Sequence, residues 1–144
     1  MSNTPYERDF YAWAKEQAAL LRAGRFDRAD IENIAEEIER MGRSEKRELV
    51  NRLSIQLTHL LKWRFQPGFR GNSWRLTIEE QRDRLRENLD DNPSLTAHLD
   101  QAVADAYRRA RLGAERETGL PRAIFPDASP FTVDDILNED FRPD

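Results

Sequence analysis

Between Asp30 and Arg64 no proline interrupts the chain, and its apolar positions recur at helical spacing. With one residue per 100° and Ile31 at 0°, Ile34, Ala35, Ile38 and Met41 fall at about −60°, 40°, −20° and −80°. Leu49, Leu53, Leu57 and Leu60 fall at about 0°, 40°, 80° and 20°. The two halves share one stripe without a phase slip. The pattern predicts a single long helix of about 50 Å, with a kink allowed at Gly42. A helical hairpin broken at Gly42 and recapped by Ser44 is the alternative, but a hairpin has no reason to preserve phase. Within the stripe, at about −40°, stands Glu45, with Arg52 flanking. A polar gap there means that the helix leaves the core or that a partner covers it. Ile31, Ile34, Ile38, Met41 and Glu45 are therefore the candidate interface residues of a dimerisation arm.

The remaining chain reads as helices joined by short punctuation. Thr4-Pro5-Tyr6-Glu7 has the form of a capping box, opening a helix with Phe10, Trp13, Leu20 and Leu21 that stops at Gly24. Asp30 suits the cap of the long helix. Residues 62–75, KWRFQPGFRGNSWR, read as a loop because of Pro67, Gly68 and Gly71. Ser73 suits the cap of a further helix in which Trp74, Ile78, Leu85 and Leu89 share a face. Asn92-Pro93 opens a fourth helix, running to about Glu117, with Leu95, Leu99, Val103, Ala106, Tyr107, Ala110 and Ala114 inward. Gly119 and Pro121 end it. Thr132 with Asp135 caps a short last helix. No segment alternates with period two, so no sheet is expected. The expectation is all-α: one domain, residues 1–144, a bundle of four main helices plus a short C-terminal one.

Composition changes this picture little. Apolar residues make up 38% and charged residues 35% of 144, with three Trp and seven Phe to anchor a core. Cysteine is absent, which removes thiol chemistry and disulfides. Nothing resembles a signal peptide or a membrane span, so a cytoplasmic protein without membrane contact is expected. A net charge of −4 disfavours non-specific binding of nucleic acid by the whole molecule.

Candidate chemistry is sparse. No phosphate loop, dinucleotide fingerprint or nucleophile elbow is present, and no cofactor is expected. Glu36 and Glu37 form the carboxylate pair that a metal would need. Neighbours on a helix diverge by 100°, however, and Arg40 and Arg43 offer ion pairs, so a solvated face is the simpler reading and no metal is expected. Glu37 and His59 lie 22 residues apart, about 33 Å on a straight helix. His59 and Lys62 sit off the centre of the stripe and, with Gln81 and Arg82, are the weak catalytic candidates. Lys62, Trp63, Arg64, Arg70, Trp74 and Arg75 interleave cations with aromatics, which suits phosphates and stacked bases of a single strand. The acidic segment from Asp127 onward, with six acids and one Arg, could fold over them instead.

The ordered motifs ENIAEEIE at 32–39, HLLKW at 59–63, TIEEQR at 77–82, NPSL at 92–95, YRRA at 107–110 and FP at 125–126 resemble a bacterial family abundant in cyanobacteria. It is catalogued as domain of unknown function 29. The resemblance implies a small all-helical protein and transfers no activity or site residue. The functional expectation is a non-enzymatic module that binds a protein partner or a second copy of itself. Nucleic-acid binding through residues 62–75 is the alternative, and an enzyme with its site near His59 comes third.

Overall fold

A computed structural model describes residues 4–144. Among the described residues there are six α-helices: α1 (Pro5–Arg8), α2 (Phe10–Arg22), α3 (Ile31–Phe65), α4 (Asn72–Asp91), α5 (Leu99–Thr118) and α6 (Val133–Leu137). No strand occurs among the described residues. The all-α expectation holds, with four long helices, and the central one runs unbroken through Gly42. Ile34 and Leu49 thus belong to one helix, which excludes the hairpin.

Contacts cluster in two compact units, Met1–Ser44 and Glu45–Asp144. In the first, the opening helix is split rather than continuous. Thr4 makes no side-chain cap, and the working cap is Asp9, whose carboxylate accepts from Ala12 N–H at 3.1 Å. Aspartate competes poorly inside a helix and well at its start, so the chain restarts there. At the other end of α2, Gly24 takes φ +70° and its N–H bonds Leu21 O, while Arg25 N–H bonds Leu20 O. This is the paired closure that a left-handed glycine permits. Trp13 and Gln17 are the buried side chains of α2. Trp13 donates its indole N–H to Asp30 at 3.0 Å, and Gln17 accepts the Asp30 backbone N–H at 2.7 Å. Hydrogen bonds from the Asn33 side chain, the Trp13 indole and the Asn33 backbone hold the Asp30 carboxyl below its ordinary range against the opposing effect of burial.

In the second unit, Leu49, Leu53, Leu57, Leu60 and Leu61 of α3 meet Ile78 and Leu85 of α4 and the predicted inward row of α5, all of it buried. Phe125, Phe131 and Ile136 close the core from the C-terminal segment. The small residues of α5 allow a close crossing: a Cβ on Gly113 would lie 3.2 Å from Thr58 Oγ1. Two helix ends share one cause. Gln66 and Asn92 precede prolines and take φ −133°, ψ 64° and φ −132°, ψ 68°. A residue before proline is pushed out of the α region, so α3 ends at Phe65 and α4 at Asp91. The predicted loop 62–75 shrinks to residues 66–71, which contain a 3-10 turn, and α4 starts at Asn72 with Ser73 inside its first turn. Pro93–His98 is likewise a 3-10 turn, and α5 begins only at Leu99. The Thr132–Asp135 capping box of α6 is present as read.

Candidate functional site

His59 faces a shallow groove of about 400 Å³ between α3 and α5, lined by Ser54, Thr58, Arg109, Gly113 and Arg116 among others. Its Nδ1–H donates to Ile55 O at 2.9 Å, which leaves Nε2 as the lone pair of the neutral ring. Burial lowers its pKa. The Ile55 bond opposes that, nearby Lys62 adds to it, and Glu117 opposes it. The groove brings one carboxylate, Glu117, which is joined to Lys62 Nζ at 3.4 Å. Gln81 and Arg82 do not line it. Of the four weak catalytic candidates, the groove thus holds His59, with Lys62 reaching its Glu117, and not Gln81 or Arg82.

Arg82 has a different task. Its guanidinium is fully buried and donates to four backbone carbonyls: Ile136 at 3.0 Å, Asp135 at 3.1 Å, Phe141 at 2.7 Å and Glu139 at 3.4 Å. Gln56, also fully buried, donates to Ile136 O at 3.2 Å. Together they strap the C-terminal segment onto α3 and α4. Burial, with Arg142 and Arg86 nearby, lowers the Arg82 pKa to about 10. Gln81 is also buried, and its Oε1 has no hydrogen-bond partner among the described residues. Neither Gln56 nor the strap was legible, because the partners are main-chain oxygens more than fifty residues away.

The basic–aromatic segment is largely engaged within the chain. Lys62 is buried, its ammonium 4.7 Å from the Trp74 ring centroid and paired with Glu117. Arg70 lies over the Trp63 ring at 5.2 Å and donates to Trp63 O at 2.6 Å and Pro143 O at 3.3 Å. Arg75 pairs with Glu79 at 3.3 Å, and Arg142 reaches the same carboxylate at 2.9 Å. Arg64 is exposed over Phe65.

The N-terminal stretch of α3 shows the opposite character. Ile31, Ile38 and Met41 are 51%, 62% and 66% exposed, and Ile34 is half-buried. Glu36 pairs with Arg40 and Arg43, while Glu37 accepts from the Tyr6 hydroxyl and pairs with Arg40. Among the described residues no group of three or more His, Asp or Glu is placed to hold a metal ion. Glu45 accepts from the Asn88 and Asn92 side chains at 3.4 and 3.1 Å. Those two amides at the end of α4 answer the polar gap within the second unit.

A larger open cavity, about 720 Å³, lies between α5 and residues 127–134. Val103, Tyr107 and Phe131 form its apolar part, and Asp100, Asp105, Asp127 and Asp134 stand around it. The sequence carried no sign of it, since its walls come from segments that periodicity treats separately.

These features define a small all-helical protein with a strapped core and an apolar face on its long helix. The chain belongs to the family described as Domain of unknown function DUF29, whose profile matches residues 5–142. Neither a curated protein nor a solved structure gave a match.

Proposed function

We propose that this chain is a non-enzymatic interaction module, and that its docking face is the exposed apolar side of α3 in the first unit. One observation carries the reading. Among the described residues, seven of the twelve exposed large hydrophobic side chains fall in residues 4–44, three of them (Ile31, Ile38 and Met41) on α3, and five in the hundred residues that follow. No residue from 31 to 47 is buried. A concentration of this kind marks a surface built to be covered. The internal engagement of Lys62, Arg70 and Arg75 supports this reading over nucleic-acid binding, and the use of Arg82 on main-chain carbonyls away from the His59 groove supports it over catalysis. Among the described residues no helix is long and apolar enough to cross a membrane. We place the module in the bacterial cytoplasm.

The test is affinity capture from the native cell with nuclease present, comparing the natural chain with Ile38→Asp. A protein partner that survives nuclease and is lost with the variant is the expected result. Capture abolished by nuclease and indifferent to Ile38→Asp would overturn the reading in favour of nucleic acid.

A further inference from the structure

We infer that the occupant of this face is a second copy of the chain, paired α3 against α3 in antiparallel orientation. The inference rests on the interaction reading and adds the partner. Ile31, Ala35, Ile38 and Gly42 follow the i, i+4, i+7, i+11 spacing of one helix face, and all four are exposed. Their sizes run large, small, large, small, and their steps of four, three and four read alike from either end. Two antiparallel copies centred between residues 36 and 37 set each Ile31 over the partner's Gly42 and each Ile38 against the partner's Ala35. Ile31 and Ile38 each then meet a small residue, the condition for close helix approach.

Gly42 is otherwise without a purpose. Glycine inside a helix costs about 1 kcal/mol relative to alanine. A Cβ built at Gly42 would meet nothing within 4 Å in its own chain. Packing within one chain does not ask for glycine there, whereas a facing isoleucine does.

Charge order supplies the direction. Residues 30–39 contain Asp30, Glu32, Glu36, Glu37 and Glu39 and no base, and Arg40 and Arg43 follow. Parallel pairing would lay five acids along five acids. Antiparallel pairing instead brings the acidic start of each stretch level with residues 40–43 of the other copy, where Arg40 and Arg43 stand. Glu36 and Glu37, nearest the centre, project about 140° and 120° from Ile31 and so avoid their mates across the contact.

The experiment uses the absence of cysteine in the chain. Light scattering from low to high micromolar concentration should show a dimer, and Ile38→Asp should raise its dissociation constant at least about tenfold. Ile38 is 62% exposed within one chain, so this variant should keep its helix content by circular dichroism. Orientation is read by Ile31→Cys and Gly42→Cys. In the antiparallel pair, two copies of residue 31 lie about 16 Å apart along the axis, too far for a disulfide, which needs about 7 Å or less between Cα atoms. Oxidation should cross-link the mixture of the two variants and leave Ile31→Cys alone uncross-linked. Cross-linking of Ile31→Cys to itself overturns the orientation, and a dimer untouched by Ile38→Asp overturns the face. A monomer at every concentration overturns the second copy. If Ile38→Asp then still abolishes cellular capture, the broader interaction reading stands; if it does not, both fall.

Discussion

Arg82 shows how much of this protein depends on one side chain that a sequence reads as a surface cation. A fully buried guanidinium with four carbonyl acceptors is a construction element: it supplies the donors that an irregular segment otherwise lacks. Arg82→Ala removes all four of these bonds at once, leaving Ile136 O to Gln56 and the Asp135 carbonyl without its donor, so we expect a loss of about 3 kcal/mol or more in urea unfolding. Arg82→Lys should recover little of it, since a point-like ammonium cannot reproduce the fork. His59 gives a second prediction. Its folded pKa lies below its ordinary 6.5 because burial disfavours the charged ring. The unfolded chain therefore binds more protons as the pH falls through about 6.5. The contribution of His59 to stability is complete above that value and declines towards the lower folded pKa. Melting temperature measured from pH 7.5 to 5.5 should fall, and His59→Gln should flatten that limb. The sequence placed His59 and Arg82 together as site candidates. It could not separate them, because burial and main-chain partners decide their roles and neither is encoded in local spacing.

At the scale of elements, what the sequence made legible follows from which forces are local. The phase of the stripe predicted one helix through Gly42, and the αL cap at Gly119 and the box at Thr132 stand as read, with φ +75° at Gly119. The inward row of α5 was also legible, since its six read positions from Leu99 to Ala114 keep helical spacing and leave no other face to bury. Helix ends set by competition were not. Asp9 holds the side-chain cap that was read at Thr4, and a 3-10 turn over Pro93–His98 delays α5 to Leu99. Asp9→Ala should cost about 1 kcal/mol of α2 stability, visible as faster amide exchange in residues 10–13. Gly42→Ala carries a sharper expectation because its two effects have opposite signs. In the monomer it should stabilise α3 by about 0.5–1 kcal/mol, because the added methyl meets nothing and the helix gains propensity. In the antiparallel pair the same methyl faces Ile31, so the dissociation constant should rise. Thermal melts below and light scattering above the dissociation constant separate the two effects.

The whole molecule divides its apolar side chains unequally, and this has a kinetic signature. Glu45–Asp144 contains the nineteen-residue core cluster and the Arg82 strap, whereas in Met1–Ser44 the buried side chains among the described residues are Trp13 and Gln17. The aromatic group of Tyr6, Phe10 and Trp13, with ring centroids 4.7–5.8 Å apart, is the main packing available to the first unit. Local opening free energy follows the number of buried apolar contacts. Amides of α2 and of residues 34–44 should therefore exchange through partial opening, well before those of residues 49–61 and 102–114, which should require global unfolding. A docked surface changes this order in a specific way. Covering Ile31, Ile38 and Met41 adds buried area only where the chain now lacks it, and mass action makes that gain depend on protein concentration. Raising the concentration from well below to well above the dissociation constant should slow exchange in residues 34–44 and leave residues 102–114 unchanged. Ile38→Asp should remove the concentration dependence while leaving the exchange order of the dilute protein intact. Uniform protection across both units at low concentration would mean that the first unit is already stabilised within one chain, and the apolar face of α3 would then have no free energy left to gain from a partner.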